Sequence, residues 1–204
     1  VNVITRRVGE RWTGSLTVDG TLQTNREYGD TGKGSAYLAG PVIANRLGLA
    51  LWGSALRREP ASLKYENVNG QAVPITSFGL SPTQADIQNA GTRVNYQLNP
   101  TNDISFDYDG MFQQYDNSNR QLGTLGIQGG YQDRLRFNRQ QYLLSHVARF
   151  EFGQLDSSYS RNLTETRGRT IPPGTPGRVP GDARTLENTN NLVDTKLVAA
   201  VGGT

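Results

Sequence analysis

Asp103, Asp107, Asp109 and Asp116 lie close together in the chain and are its clearest candidates for carboxylate chemistry. An Asp-x-Asp pair on one strand face holds its carboxylates about 7 Å apart, too far to share a small ion without other ligands. The pattern reads better as a ladder on a hydrated strand face, neutralised by arginines such as Arg93. His146 is the only histidine. Alternation puts it on an apolar face with Leu144 and Ala148, and no neighbouring Ser and Asp complete a nucleophilic triad. The glycines between Gly123 and Gly130 are followed by neither a helix nor a lysine, so they are loop residues and not a phosphate cradle. Pro172-Pro173-Gly174 and Pro176-Gly177 are turns. With no cysteine, no thiolate or disulfide chemistry is open to the chain. We therefore expect no catalytic residue, no metal ligand and no cofactor.

What remains distinctive is arginine. Of 21 cationic residues, only Lys33, Lys64 and Lys196 are lysines. Arginine cannot be switched off and offers a planar fork of donors to anionic oxygens. The net charge of +3 is too small to argue for nucleic acid, and no basic helical motif is present.

The elements that must position these residues are strands. Apolar residues make up 35% of the 204-residue chain, below the usual globular level, and mean hydropathy is −0.57. The longest mostly apolar run, Leu47 to Leu56, is about half of what a spanning helix needs, so no transmembrane helix is expected. The chain opens on Val1, without a signal peptide, and reads as a piece of a longer one. Period-2 alternation is clearest where Thr92, Val94, Tyr96 and Leu98 oppose Arg93, Asn95, Gln97 and Asn99. It recurs with Ile104, Phe106, Tyr108, Gly110 and Phe112 against Ser105, Asp107, Asp109 and Gln113, and with Leu16, Val18, Gly20 and Leu22 against Ser15, Thr17, Asp19, Thr21 and Gln23. Such alternation marks strands with one apolar and one hydrated face. Strands are predicted at 13–26, 34–43, 47–59, 89–99, 104–118, 136–152, 155–170 and 189–202. They outrun the strands of ordinary sandwiches and suit tilted strands that cross a bilayer.

The breaks between strands alternate in length. Ala44-Asn45-Arg46, Pro100 to Asp103 and Gly153-Gln154 are short; 60–88, 119–135 and 171–188 are long, and only Glu27 to Lys33 breaks the rule. Short turns on one side and long loops on the other describe an outer-membrane barrel. Trp12, Tyr96, Phe112, Tyr142 and Phe152 near strand ends fit interfacial girdles. The expected fold is all-β: an antiparallel transmembrane β-barrel fragment with short periplasmic turns and long extracellular loops.

Val1-Asn2-Val3-Ile4-Thr5-Arg6-Arg7 resembles the segment that ends the plug of TonB-dependent outer-membrane receptors and leads into their barrel. Gln114 to Asn117, Arg120 to Leu125 and Gly129-Gly130-Tyr131 are similar to the third outer loop of the colicin I receptor type. Arg167-Gly168-Arg169, followed by Ile171-Pro172, resembles the start of the fourth loop in catecholate-siderophore receptors such as those for ferric enterobactin. The resemblance implies a barrel of about 22 strands, of which about eight lie here. It places the end of the plug and its connection in 1–11, and the N-terminal portion of the barrel in 12–204. It also implies TonB-dependent uptake of a ferric siderophore. The partners are then the ferric siderophore, TonB through a preceding region, outer-membrane lipid and lipopolysaccharide, and colicins within the subgroup, with no nucleic acid.

A ferric tris-catecholate is a compact trianion with aromatic faces, so arginines beside aromatics are its natural site. The third loop and its flanks supply Tyr115, Arg120, Tyr131, Arg134 and Arg136, and the fourth supplies Arg167 and Arg169 with Arg178 and Arg184. The second holds Arg57, Arg58, Lys64, Tyr65 and Phe78. Ligand contact is expected within 115–136, joined by Arg167 and Arg169. Solvated loop arginines, or arginines on lipopolysaccharide phosphates at the rim, are the plainer reading of any single one. Two other functions fit the strand pattern: a passive porin-like channel, and an outer-membrane hydrolase with a Ser/His/Asp set at the rim.

Overall fold

In a computed structural model of the chain, residues 11–61, 64–74, 83–118 and 130–199 are described. Ten strands are present among the described residues: β1 (Thr13–Thr21), β2 (Thr31–Ile43), β3 (Leu47–Arg58), β4 (Lys64–Glu66), β5 (Ala72–Pro74), β6 (Gln84–Asn99), β7 (Asn102–Asp116), β8 (Tyr131–Phe150), β9 (Gly153–Thr170) and β10 (Ala183–Ala199). Eight form one antiparallel sheet in the order β1-β2-β3-β6-β7-β8-β9-β10, an unbroken meander. No α-helix occurs among the described residues, and no helix is long and apolar enough to cross a membrane. The opening heptad lies outside the described residues.

All three predicted short turns fall at one end of the sheet, joining β2 to β3, β6 to β7 and β8 to β9. Asn45 takes the left-handed conformation (φ 55°) the first turn needs, a backbone state asparagine tolerates better than most residues. At the other end the strands differ from the predicted bounds. β6 begins at Gln84, β8 at Tyr131 and β10 at Ala183, each about five residues earlier than alternation alone marks. The hydrophobic signal stops where the apolar layer stops, while backbone pairing continues beyond it. β1 instead ends at Thr21 and not near residue 26. Here Asp30 accepts from the Gln23 amide at 2.7 Å and pairs with Arg26 at 3.0 Å, while Asn25 caps a 3-10 turn at Arg26–Tyr28. These polar side chains offer the backbone a turn in place of the ladder. The small β4–β5 hairpin lies within a stretch expected to be loop. The Asn67 side chain accepts from the amides of Asn69 and Gln71, and Gly70 takes a φ of 70°. Asn69-Gly70 is the available signal, since Asn-Gly is a strong hairpin dipeptide.

In an antiparallel ladder, register partners share a face. One row across the sheet therefore reads Gly40, Leu49, Val94, Phe106, Leu144, Tyr159, Val193. A row on the opposite face reads Tyr37, Trp52, Gly91, Asp109, Gln141, Asn162, Asn190. We call the first face outer and the second inner. The outer face is left uncovered: Val18, Leu144, Val193 and Leu197 are all exposed. A stripe of this extent is not stable in water. Among the described residues the buried apolar set is only Ala61, Ala85, Leu135 and Ala148, so the sheet has no core of its own behind either face. Arg161 and Asn191 interrupt the outer face near its last strands, where a long arginine can carry its charge away from an apolar layer.

Depth supports a membrane as the missing cover. The outer face becomes charged at the loop end in the row Arg57, Asp86, Gln114, Arg136, Arg167. Arg136 lies eight residues from Leu144 along β8, about 26 Å of strand or about 19 Å of depth at a 45° tilt. In the other direction Phe150 and Phe152 stack with ring centroids 5.2 Å apart beside the short turn. Trp12 covers Gly40 on the outer face at the same end, where an added Cβ would lie 2.4 Å from the indole. The charged row therefore stands beyond the half-thickness of a hydrocarbon core, with aromatics at the opposite border.

Candidate ligand-binding site at the loop end

The inner face is stitched by ion pairs. Arg93 pairs with Asp107 across β6 and β7, Arg139 with Asp109 at 3.2 Å, and Arg149 with Asp103 at 2.6 Å. Trp52 adds an Nε1–H bond to Asp109 at 3.3 Å, and Ser54 donates to Asn89 at 2.8 Å. Asp103, Asp107 and Asp109 thus form the ladder read from the sequence, while Asp116 lies on the opposite face. Among the described residues no group of three His, Cys, Asp or Glu could hold a metal. Asp107 is the most enclosed member. We expect Asp107→Ala to cost about 1–2 kcal/mol, because it leaves Arg93 half-buried without its partner. The urea unfolding midpoint checks this, and an unchanged midpoint would mean that the pair adds nothing.

His146 lies on the outer face and bonds Asn102 at 2.9 Å. Its register partner on β9 is Ser157, but no hydrogen bond joins them among the described residues, and no carboxylate is in place behind the ring. The geometry offers no charge-relay arrangement.

The sequence-predicted ligand residues separate by face. Arg134 is the partner of Asp116, Arg136 of Gln114 and of Arg167; all belong to the outer-face series of Phe112 and Tyr142. Arg136 donates to Gln114 at 3.1 Å, and Arg167 pairs with Glu165 at 2.7 Å through its Nε. Tyr115 sits on the inner face. It meets Phe137 edge-on at 5.8 Å and donates to Gln113 at 2.9 Å. Tyr131 and Arg169 are register partners, with the guanidinium 5.4 Å above the ring. Arg120 and Phe78 lie outside the described residues, as do the side chains of Lys64 and Tyr65. Arg58 donates to the Thr83 carbonyl at 2.9 Å and is structural. Phe137 and the buried Leu135 join this end of the sheet without having been expected as site residues. Both lie in or next to the part of β8 where the sequence carries no alternation.

The base of the third loop is held on its β7 side by Asp116. Its carboxyl lies below the ordinary carboxylate range, chiefly through hydrogen bonds from Ser118 and secondarily through Arg134. A lowered folded-state value means that this anchor is complete above the ordinary aspartate range and is lost as pH falls through the lowered value.

The site's outer and inner residues converge on one end of a sheet whose fold is known elsewhere. No family model matches the chain. Two iron-regulated outer membrane virulence proteins of Vibrio cholerae serotype O1, from the El Tor Inaba and Classical Ogawa strains, are each 22% identical over 179 residues, 84% of this chain and 24% of the relative. Among solved structures, the siderophore receptor PirA from Acinetobacter baumannii superposes with a TM-score of 0.64 at 17% identity, covering 95% of this chain and 27% of that one. A mutant of the ferric enterobactin receptor PfeA from Pseudomonas aeruginosa gives 0.62 at 17% identity, covering 93% and 28%. The chain spans about a quarter of the length of the proteins it matches. Its fold is that of a stretch of barrel wall in outer-membrane siderophore receptors.

Proposed function

We propose that this chain is the N-terminal part of the barrel of a TonB-dependent receptor that takes up a ferric siderophore of the catecholate type across the outer membrane. The observation that carries the reading is one sheet with two solvents. Its outer face is an apolar band bordered by aromatics and a charged row, its inner face is a polar ladder, and at the loop end Arg169 lies over Tyr131 beside the Tyr115–Phe137 pair. Residues 1–11 then lead from a plug and 12–204 form barrel wall. TonB acts through the region preceding the plug's end. The charged outer row meets the headgroups of lipid and lipopolysaccharide, and colicins of the subgroup dock from outside. No bond is made or broken: arginines replace the water around an anion, aromatic faces cover its rings, and energy for release comes from the inner membrane.

The ligand contacts proposed are Tyr115, Tyr131 and Arg169 on the inner face, Arg134, Arg136 and Arg167 on the outer rim, and Arg120 in the third loop. The test is binding of a ferric tricatecholate by the intact protein in outer-membrane preparations, compared with a ferric hydroxamate. Saturable binding of the first and not the second is expected. Preference for the hydroxamate would overturn the catecholate class, and binding of neither would overturn siderophore uptake.

A further inference from the structure

Regular alternation along β9 would send Arg169 to the outer face beside Arg167. Instead the ladder slips twice at this point. Between β9 and β10 the pairing steps from Leu186–Thr166 to Arg184–Arg169, so β9 carries one extra residue there. Between β8 and β9 it steps from Arg136–Arg167 to Tyr131–Arg169, so β8 carries three. The residue at the hinge is Gly168, with φ of 92°. A Cβ on it would fall 2.1 Å from the Arg134 carbonyl oxygen and 2.8 Å from Leu135 Cα, both parts of a backbone that cannot swing away. Only glycine combines that dihedral with that approach. β10 itself runs without an insertion, so Arg184 belongs to the inner-face series of Leu186 and Asn188, and its partner Arg169 shares that face. A bulge that re-aims one side chain is a known use of the device.

We infer that the bulge at Gly168 turns Arg169 inward to build an anion-binding shelf from Tyr131, Arg169 and Arg184, and that this shelf, not the outer-rim arginines, holds the acidic aromatic face of the ligand. Two like charges directly opposed on neighbouring strands repel, and the Arg169 Nε is buried with no hydrogen-bond partner among the described residues. An anion lying between Arg169 and Arg184 answers both, and the Tyr131 ring below the guanidinium supplies the flat surface that a catecholate ring needs. Tyr115 and Phe137 continue the aromatic surface along the same face. Arg136 and Arg167 are already engaged with Gln114 and Glu165. The inference rests on the siderophore reading, which it deepens by choosing among the proposed contacts.

The chain has no cysteine, so single cysteines at 136, 167, 169 and 184 can be labelled with a charged, membrane-impermeant maleimide. The assay uses the intact protein, free of other cysteines, with and without a synthetic ferric tricatecholate. Protection at 169 and 184 but not at 136 and 167 is expected; the reverse pattern, or equal protection at all four, overturns the shelf. Arg169→Gln leaves the backbone untouched and should weaken binding about tenfold. Unchanged affinity overturns the shelf while the siderophore reading stands. If the unaltered protein binds no ferric complex, the functional reading falls and the shelf with it.

Discussion

Leu144→Arg should destabilise the membrane-inserted protein by about 2–4 kcal/mol, whereas Leu143→Arg, one residue away, should change it by less than about 0.5 kcal/mol. The two leucines are chemically identical and adjacent on β8, but the register sends them to opposite solvents. Leu144 lies between Phe106 and Tyr159 in the apolar row, and is exposed. Leu143 lies between Asp107 and Ser160 on the face of the ion-pair ladder. Leu144 stands between the charged row at Arg136 and the aromatic border at Phe150, near the bilayer midplane, where an arginine has no water and no nearby carboxylate. At 143 the new guanidinium finds Asp107 across the strand. Urea unfolding of the intact protein in bilayers would read the difference. Equal costs at both positions would remove the two-solvent reading of the sheet and the membrane assignment that depends on it.

That asymmetry is legible in the amino-acid sequence alone, and the reason is physical. A strand that separates lipid from water must alternate, so Val94, Tyr96, Ile104 and Phe106 announce both the strand and its outer face. Tight turns need particular residues, so Ala44-Asn45-Arg46 and Pro100-Thr101 are legible too. The loop end is not. Beyond the apolar layer both faces are wet, the selection for alternation lapses, and Tyr131 to Leu135 or Ala183 to Asn188 carry no periodic signal although their backbones pair. The same region hides its bulges. Arg167-Gly168-Arg169 reads as two equivalent arginines around a glycine, and only the slip in register separates an outward residue from an inward one. Residue type and loop position therefore suffice to nominate ligand candidates, while their division between two faces stays out of reach. The Asp103, Asp107 and Asp109 ladder is the opposite case. Period-2 spacing with arginines on the neighbouring strand is enough to prefer ion pairs over a metal.

Gly91→Val should cost about 3 kcal/mol, and most of that cost should vanish when Trp52 is also replaced by alanine. Gly91 stands between Trp52 and Asp109 in the inner-face row. An ideal Cβ there would lie 2.3 Å from Cε2, 2.4 Å from Cζ2 and 2.5 Å from Nε1 of the indole. The Trp52 ring lies flat across the glycine because nothing projects from it, and this lets Nε1 reach Asp109 two strands away at 3.3 Å. Asp109 in turn holds Arg139 from β8. One glycine thus permits a chain of contacts across β3, β6, β7 and β8. A valine must lift the indole, which strands its N–H and leaves Asp109 with one partner instead of two. If steric displacement of Trp52 is the cause, Trp52→Ala alone should lose only the ring's own packing and hydrogen bond, and adding Gly91→Val to it should then cost little. A full cost in both backgrounds would mean that Gly91 is required for its backbone and not for the space it leaves. The ladder from Trp52 to Arg139 would then be a passive consequence of the sheet and no part of what holds its shape.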